Sequence, residues 1–167
     1  TNMHSTFSDC VSLTTAPTIP NGVTDMSYTF SGCTSLTTAP TIPDKVIYMK
    51  STFKDCTSLA IAPTIPDSVT NMEDTFSNCI SLTVVPNISS NVTNMCNTFT
   101  CCKNLTTMPL VSNNVMNMWS TFSYCTSLTG TITINANPTS YDYCFAGTEK
   151  LIALTGSSTK LSALATT

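Results

Sequence analysis

The sequence predicts an α/β repeat solenoid of about seven stacked turns, with a short parallel sheet on one side and short helices on the other. The first observation is that every phenylalanine lies 23 residues from the next; the positions are Phe7, Phe30, Phe53, Phe76, Phe99, Phe122 and Phe145. The second is that methionine, cysteine and leucine recur with the same period, as at Met72, Cys79 and Leu82. A fixed period of this length is typical of a solenoid, in which one unit stacks on copies of itself.

Each turn is predicted to begin with a short amphipathic helix. The apolar positions of a middle turn are Val69, Met72, Phe76 and Cys79, spaced by 3, 4 and 3 residues. This spacing is typical of the buried face of a helix. Asp67 or Ser68 could cap its first turn, and Pro66 precedes the cap. The residues expected to form core columns are Met72, Phe76, Cys79, Leu82, Phe99 and Leu105.

A short strand is predicted to follow the helix. Residues 82–85 are rich in Thr and β-branched side chains, which favours a strand. Pro86 cannot donate a ladder hydrogen bond, so the strand should end there. The same proline recurs at Pro17, Pro40, Pro63 and Pro109. The last turn has Ile132 in place of the proline, and a better strand is predicted at 132–134.

The repeat weakens towards the carboxyl end. Phe145 and Leu151 remain in register, but the apolar residues that follow lack the repeat's core set. We therefore predict a solenoid over 1–151 and a cap or tail over 152–167 that closes the end of the core.

Charge and composition exclude several classes of partner. The net charge is -3, and only 9% of the residues are charged. A nucleic-acid partner would need clustered cations, so none is expected. No apolar run is long enough to span a membrane, and no signal segment stands at the amino end. We interpret the chain as a fragment whose export signal or anchor would lie outside it.

Six of the nine cysteines occupy one repeat column, which favours buried, reduced thiols over disulfides. The column consists of Cys10, Cys33, Cys56, Cys79, Cys102 and Cys125. Outside it stand Cys96, Cys101 and Cys144, and one disulfide among these three is left open. Pairs of C-x-x-C that would indicate zinc are missing, so no metal is predicted.

No residue pattern indicates an enzyme or a cofactor. His4 is the only histidine and is expected to be solvated. Glu73 with Asp74, and Lys54 with Asp55, are interpreted as surface charges. The methionine column is interpreted as core packing rather than a soft-metal site.

The repeat resembles the BspA-like leucine-rich repeats of bacterial surface proteins. The resemblance rests on Val69-Thr70-Asn71-Met72 with Phe76, Cys79 and Ser81-Leu82, and on Val92-Thr93-Asn94-Met95 with Phe99, Cys102 and Leu105. It implies a right-handed leucine-rich-repeat solenoid on a secreted or wall-attached protein. It also implies adhesion to a host or matrix protein or glycan.

Two functions compete: a cell-surface binding module, and a structural spacer in a larger surface protein. Regular threonine rows raise a third, ice binding, although Ala60, Ile61 and Val84 interrupt them. The chain is expected to be an elongated monomer.

The candidate binding residues come from the column that follows methionine. Its members vary freely: His4, Ser27, Lys50, Glu73, Cys96, Trp119 and Asp142. Trp119 with Tyr124 and Tyr143 would form an exposed aromatic patch that favours a protein or glycan contact. The alternative is that Trp119 folds over the carboxyl-terminal cap and shields Leu151 or Leu154.

Overall fold

The computed structural model describes residues 1–85 and 87–155, and within them the chain forms stacked turns of 23 residues. Two strands are continuous, β1 (Gly130–Thr133) and β2 (Leu151–Thr155). They pair in parallel, and the register shifts after Gly130. Elsewhere successive turns are joined by single parallel bridges, such as Asn71 to Asn94. The strand predicted at 132–134 therefore forms, two residues earlier than expected.

The core runs through the stack as columns of equivalent side chains. The predicted core residues Met72, Phe76, Cys79, Leu82, Phe99 and Leu105 are all fully buried. The phenylalanine rings stack nearly parallel from Phe7 to Phe145, with centroids 5.4–5.7 Å apart and tilts of 4–12°. Each ring therefore packs against its copies above and below, in the distance range favoured for aromatic pairs.

A backbone ladder joins successive turns along one side of the solenoid, the ladder side, which in a middle turn comprises residues 70–78. The N–H groups of Met72, Asp74, Phe76 and Asn78 donate to carbonyl oxygens of the next turn at 2.8–2.9 Å. Four equivalent bonds recur at each of the six interfaces between turns. The intervening N–H groups bond locally, as Thr75 N–H does to the Met72 carbonyl.

The predicted short helices were wrong, since the described residues contain no α-helix. Two residues per turn on the ladder side have positive φ, Asp74 (55°) and Asn78 (60°) in the middle turn. A helix excludes this backbone conformation, and Asn and Asp are among the residues that tolerate it. The 3, 4, 3 spacing therefore reflects consecutive tight turns, whose free N–H groups bond between turns instead of along a helix.

The strand predicted at 82–85 is reduced to one bridge, Ile61 to Val84 on neighbouring turns. This proline side comprises residues 59–66 in a middle turn. The backbone N–H groups of Thr41 and Thr64 have no partner among the described residues. Proline interrupts the ladder on both sides of these threonines, which explains the short pairing. Pro86 itself lies outside the described residues.

Threonine and cysteine side chains bond between turns inside the core. Thr75 Oγ1 donates to the Met49 carbonyl at 2.7 Å, and Cys79 Sγ donates to the Phe53 carbonyl at 3.0 Å. Equivalent buried threonines are Thr29, Thr52, Thr98 and Thr121. No buried side-chain nitrogen or oxygen among the described residues lacks a hydrogen-bond partner.

All nine cysteines are free, so the disulfide left open among Cys96, Cys101 and Cys144 is not formed. The column cysteines are buried except Cys10, which is exposed because no described turn packs on that end of the stack. Cys144 is buried in the threonine column, one turn after Thr121. The part of the chain that the structure describes has no helix long and apolar enough to cross a membrane.

Candidate functional site

The variable column lies on the ladder side, and its exposure differs from turn to turn: His4, Trp119 and Asp142 are exposed, Lys50, Glu73 and Cys96 are half-buried, and Ser27 is buried. Trp119 is its largest member. The indole is 38% exposed. Its backbone is fixed at both ends: Trp119 N–H donates to Asn117 Oδ1 at 3.0 Å, and its carbonyl accepts from Asn97 N–H at 2.9 Å. The position is therefore held by the ladder rather than by a free loop.

Trp119 and Tyr143 form a ring pair across two turns. Their centroids are 6.0 Å apart, and the planes meet at 79°. Tyr143 is 65% exposed and has a φ of 57°, in the left-handed region. This edge-to-face arrangement is a favoured one for aromatic pairs, and it leaves apolar ring surface in water.

Tyr124, the third predicted residue, is exposed but lies on Gly147 of the next turn. A Cβ placed on Gly147 would be 2.7 Å from Tyr124 Cδ1, and Gly147 has a φ of 71°. Glycine is therefore required here both by the backbone and by the ring above it. Tyr124 makes no ring contact with another aromatic residue in the described ranges, so the structure brings together two of the three predicted residues.

The alternative in which Trp119 shields Leu151 or Leu154 concerns side chains outside those that the structure describes. The contact seen for the indole is with Tyr143.

A ring pair at equivalent positions, with a smaller angle between the planes, occurs at the other end of the array. His4 and Tyr28 occupy the positions of Trp119 and Tyr143, with centroids 5.3 Å apart and a tilt of 49°. At both ends of the array, a residue of the variable column therefore contacts the positive-φ residue of the next turn.

Four charged residues in the middle of the ladder side form two ion pairs. Lys50 Nζ lies 2.9 Å from Glu73 Oε1, and Lys54 Nζ lies 3.5 Å from Asp74 Oδ1. The hydrogen bond to Glu73 raises the pKa of Lys50 above its usual value. Exposed pairs of this kind add little to stability. They agree with the interpretation of these residues as surface charges.

Three thiols on or next to this side, Cys96, Cys125 and Cys144, are poorly suited to chemistry. Burial, with the nearby Glu73 carboxylate, raises the pKa of Cys96, so the thiolate is disfavoured. Burial raises the pKa of Cys125 and of Cys144 to about 12. In the described part of the chain, no three His, Cys, Asp or Glu side chains come together in a way that could hold a metal ion.

Sequence reasoning missed the buried threonine column and the positive-φ positions. Both had a signal. Threonine precedes phenylalanine in six of the seven turns, which a solvated residue would not require. Asp, Asn and Gly, which are typical of left-handed backbone, supply half of the residues two and six positions after the column methionines.

Comparison with solved structures agrees with this architecture. The leucine-rich repeat protein TpLRR of T. pallidum has a TM-score of 0.66 and 27% identity over 77% of this chain. A leucine-rich repeat protein from Bacteroides ovatus ATCC 8483 has a TM-score of 0.74 and 22% identity over 90% of this chain. The chain spans 60% of the first protein and 39% of the second.

No curated protein matches the chain. The family model described as "BspA type Leucine rich repeat region (6 copies)" matches residues 3–116 and 50–163, together most of the sequence. The fold is therefore a leucine-rich-repeat solenoid, and the chain belongs to the BspA-type leucine-rich-repeat family.

Proposed function

We propose that this chain is a non-enzymatic binding module of a cell-surface or secreted protein, which adheres to a host or matrix protein or glycan. The observation that carries the proposal is the Trp119–Tyr143 pair, two exposed rings on an ordered ladder. Tryptophan and tyrosine are enriched at binding hot spots, and exposed apolar patches often mark interaction sites. We also propose that the solenoid is right-handed, as the resemblance to BspA-like repeats implies.

Family membership supports the surface location, because BspA-type repeat proteins are generally surface and adhesion-type proteins. The site supports binding over catalysis. Among the described residues, no hydrogen bond or ion pair near the ring pair joins a nucleophile to a base. A partner would instead be held by ring contacts and by polar groups at the rim.

A structural spacer is the competing function, and the middle of the face favours it. There Lys50 pairs with Glu73 and Lys54 with Asp74, so these four charges already have partners within the chain. Ice binding has weaker support, because threonine hydroxyls such as Thr37 Oγ1 and Thr83 Oγ1 donate to carbonyls of the preceding turn. A thermal-hysteresis assay tests that function directly.

The test of binding is Trp119→Ala, assayed for adhesion to host cells, matrix proteins and immobilised glycans beside its thermal midpoint. We expect adhesion to fall at least tenfold, with the midpoint changed by no more than about 2 °C. The matched control is His4→Ala, which removes the equivalent ring at the other end of the array.

A lower midpoint with unchanged adhesion would contradict the binding proposal and indicate that Trp119 stabilises the end of the stack. Unchanged adhesion with an unchanged midpoint would favour the spacer.

A further inference from the structure

We propose that the Trp119–Tyr143 corner, together with the Asp142 carboxylate, binds an arginine side chain of a partner protein. This inference rests on the proposed binding function and specifies the chemical group that the site recognises. The argument uses the position of Asp142, the angle between the rings, and the absence of arginine from this chain.

The repeat places the Asp142 backbone next to the backbones of Trp119 and Tyr143. It directly precedes Tyr143, and it occupies the variable column one turn after Trp119. Residues one turn apart in this column can touch, as Lys50 and Glu73 do at 2.9 Å. The Asp142 backbone is fixed, because its carbonyl accepts from Ser120 N–H at 2.9 Å. A group placed on the indole would therefore lie within reach of this carboxylate.

The Asp142 carboxylate is exposed and makes no ion pair or hydrogen bond among the described residues. Other acids of the ladder side differ: Glu73 and Asp74 are each paired with a lysine, and Asp25 and Asp55 each accept a hydrogen bond. Asp142 is thus an available acceptor beside a half-exposed aromatic pair. Its charge favours a cationic occupant over a neutral sugar.

The ring geometry favours a planar cation. Two rings that meet at 79° with centroids 6.0 Å apart present two π faces at nearly a right angle. A guanidinium can stack on one face and donate two parallel hydrogen bonds to a carboxylate, whereas an ammonium acts as a point charge. Arginine is also, with tryptophan and tyrosine, one of the residues enriched at binding hot spots.

The occupant lies outside this sequence. All six Lys plus Arg residues of the chain are lysines, so a second copy of this sequence has no guanidinium to offer. The first two turns give an internal comparison: His4 and Tyr28 form the same kind of ring pair, but Ser27 stands where Asp142 does. That corner lacks the carboxylate and should not select a cation.

Trp119 is the only tryptophan, so its fluorescence reports on this site alone. The full chain is titrated at constant ionic strength with acetyl-Gly-Arg-Gly-amide, and with matched peptides in which citrulline or lysine replaces arginine. Citrulline keeps the shape of arginine and removes the charge. Tetramethylammonium and a neutral oligosaccharide complete the set of probes.

We expect a saturable fluorescence change with the arginine peptide, at a concentration at least fivefold lower than with the citrulline or lysine peptide. Asp142→Asn should abolish the preference for arginine over citrulline. Tyr143→Ala should weaken binding of both peptides at least threefold. Glu149→Gln, which removes an exposed acid of the same turn, should change neither result.

Equal responses to arginine and citrulline would overturn the proposal, as would an Asp142→Asn variant that still prefers arginine. Stronger binding of tetramethylammonium or of the oligosaccharide would also overturn it, while leaving the proposed binding function intact. A response to none of the probes would overturn the arginine assignment, and the adhesion assay on Trp119→Ala would then decide the binding function separately.

Discussion

The ladder side and the proline side of each turn are stabilised differently, although the same 23-residue repeat builds both. On the ladder side, Met72, Asp74, Phe76 and Asn78 each donate a backbone hydrogen bond to the next turn. On the proline side the interface between the turns of Ile61 and Val84 has one bridge, and Thr64 N–H has no partner among the described residues.

This difference shows which residues determine the backbone hydrogen bonding between turns. Proline removes donors and fixes φ, so the chain between two prolines cannot continue a ladder. Residues that accept positive φ let every second N–H on the ladder side point along the stack. The binding site proposed above lies on the better-bonded side.

The largest expected effect comes from alkaline pH, which acts through buried thiols of the core. The pKa of Cys125 and of Cys144 is about 12 in the folded chain, raised by burial, against about 8.5 for an unfolded cysteine. Between these values the unfolded state has lost the proton and the folded state keeps it. Stability should therefore be complete below pH 8 and fall as pH rises.

Each such thiol lowers the free energy of unfolding by about 1.4 kcal/mol per pH unit in that window. Urea unfolding at pH 7 to 10 measures the slope, and Cys125→Ala should reduce it by one thiol's share. A free energy of unfolding that stays constant up to pH 10 would show that the thiols are accessible to solvent in the folded chain.

The next largest effect is Phe76→Ala, which removes one ring from the middle of the aromatic column. We expect the free energy of unfolding to fall by about 3–5 kcal/mol, because a fully buried ring is lost and two neighbouring rings lose a partner. The control on the proline side is Ile61→Ala, whose side chain is 63% exposed and should cost under about 1 kcal/mol. A cost below about 1 kcal/mol for Phe76→Ala would contradict the stacked core.

Much of this fold follows from spacing alone. The period of Phe76 and its equivalents predicted the solenoid, and the apolar columns at Met72, Phe76, Cys79 and Leu82 are buried. The local conformation did not follow, because a 3, 4, 3 spacing fits a helix as well as a series of tight turns. A helix and a series of tight turns are distinguished by the hydrogen-bond partners of the backbone N–H groups. Here those partners lie in the next turn of the solenoid, and the spacing within one turn does not show them.

The candidate site was predicted in part for a related reason. Variation in one column identified Trp119 as exposed, and the contact with Tyr143 requires only the stacking of adjacent turns. The separate position of Tyr124 depends on its placement over Gly147, which the column spacing does not specify. The role proposed for Asp142 depends on its carboxylate having no partner among the described residues. The sequence alone does not show this.

Replacing one threonine by valine on each side is expected to have a smaller effect on stability, and that effect should differ between the two sides. Thr75→Val removes a buried hydroxyl that donates to the Met49 carbonyl at 2.7 Å, and should cost about 1 kcal/mol. Thr64→Val, at an exposed position of the proline side, should cost under about 0.5 kcal/mol. Denaturant midpoints of the two variants measure the loss of stability caused by each substitution. Equal losses would show that the buried hydroxyl on the ladder side stabilises the fold no more than the exposed one on the proline side.

Residue-resolved hydrogen exchange under native conditions tests the ladder most directly. The account predicts slow exchange at Met72, Asp74, Phe76 and Asn78, and fast exchange at Thr41 and Thr64, whose amides have no partner in the described chain. Protection at the two threonines equal to that at Phe76, or rapid exchange at all four ladder amides, would contradict it.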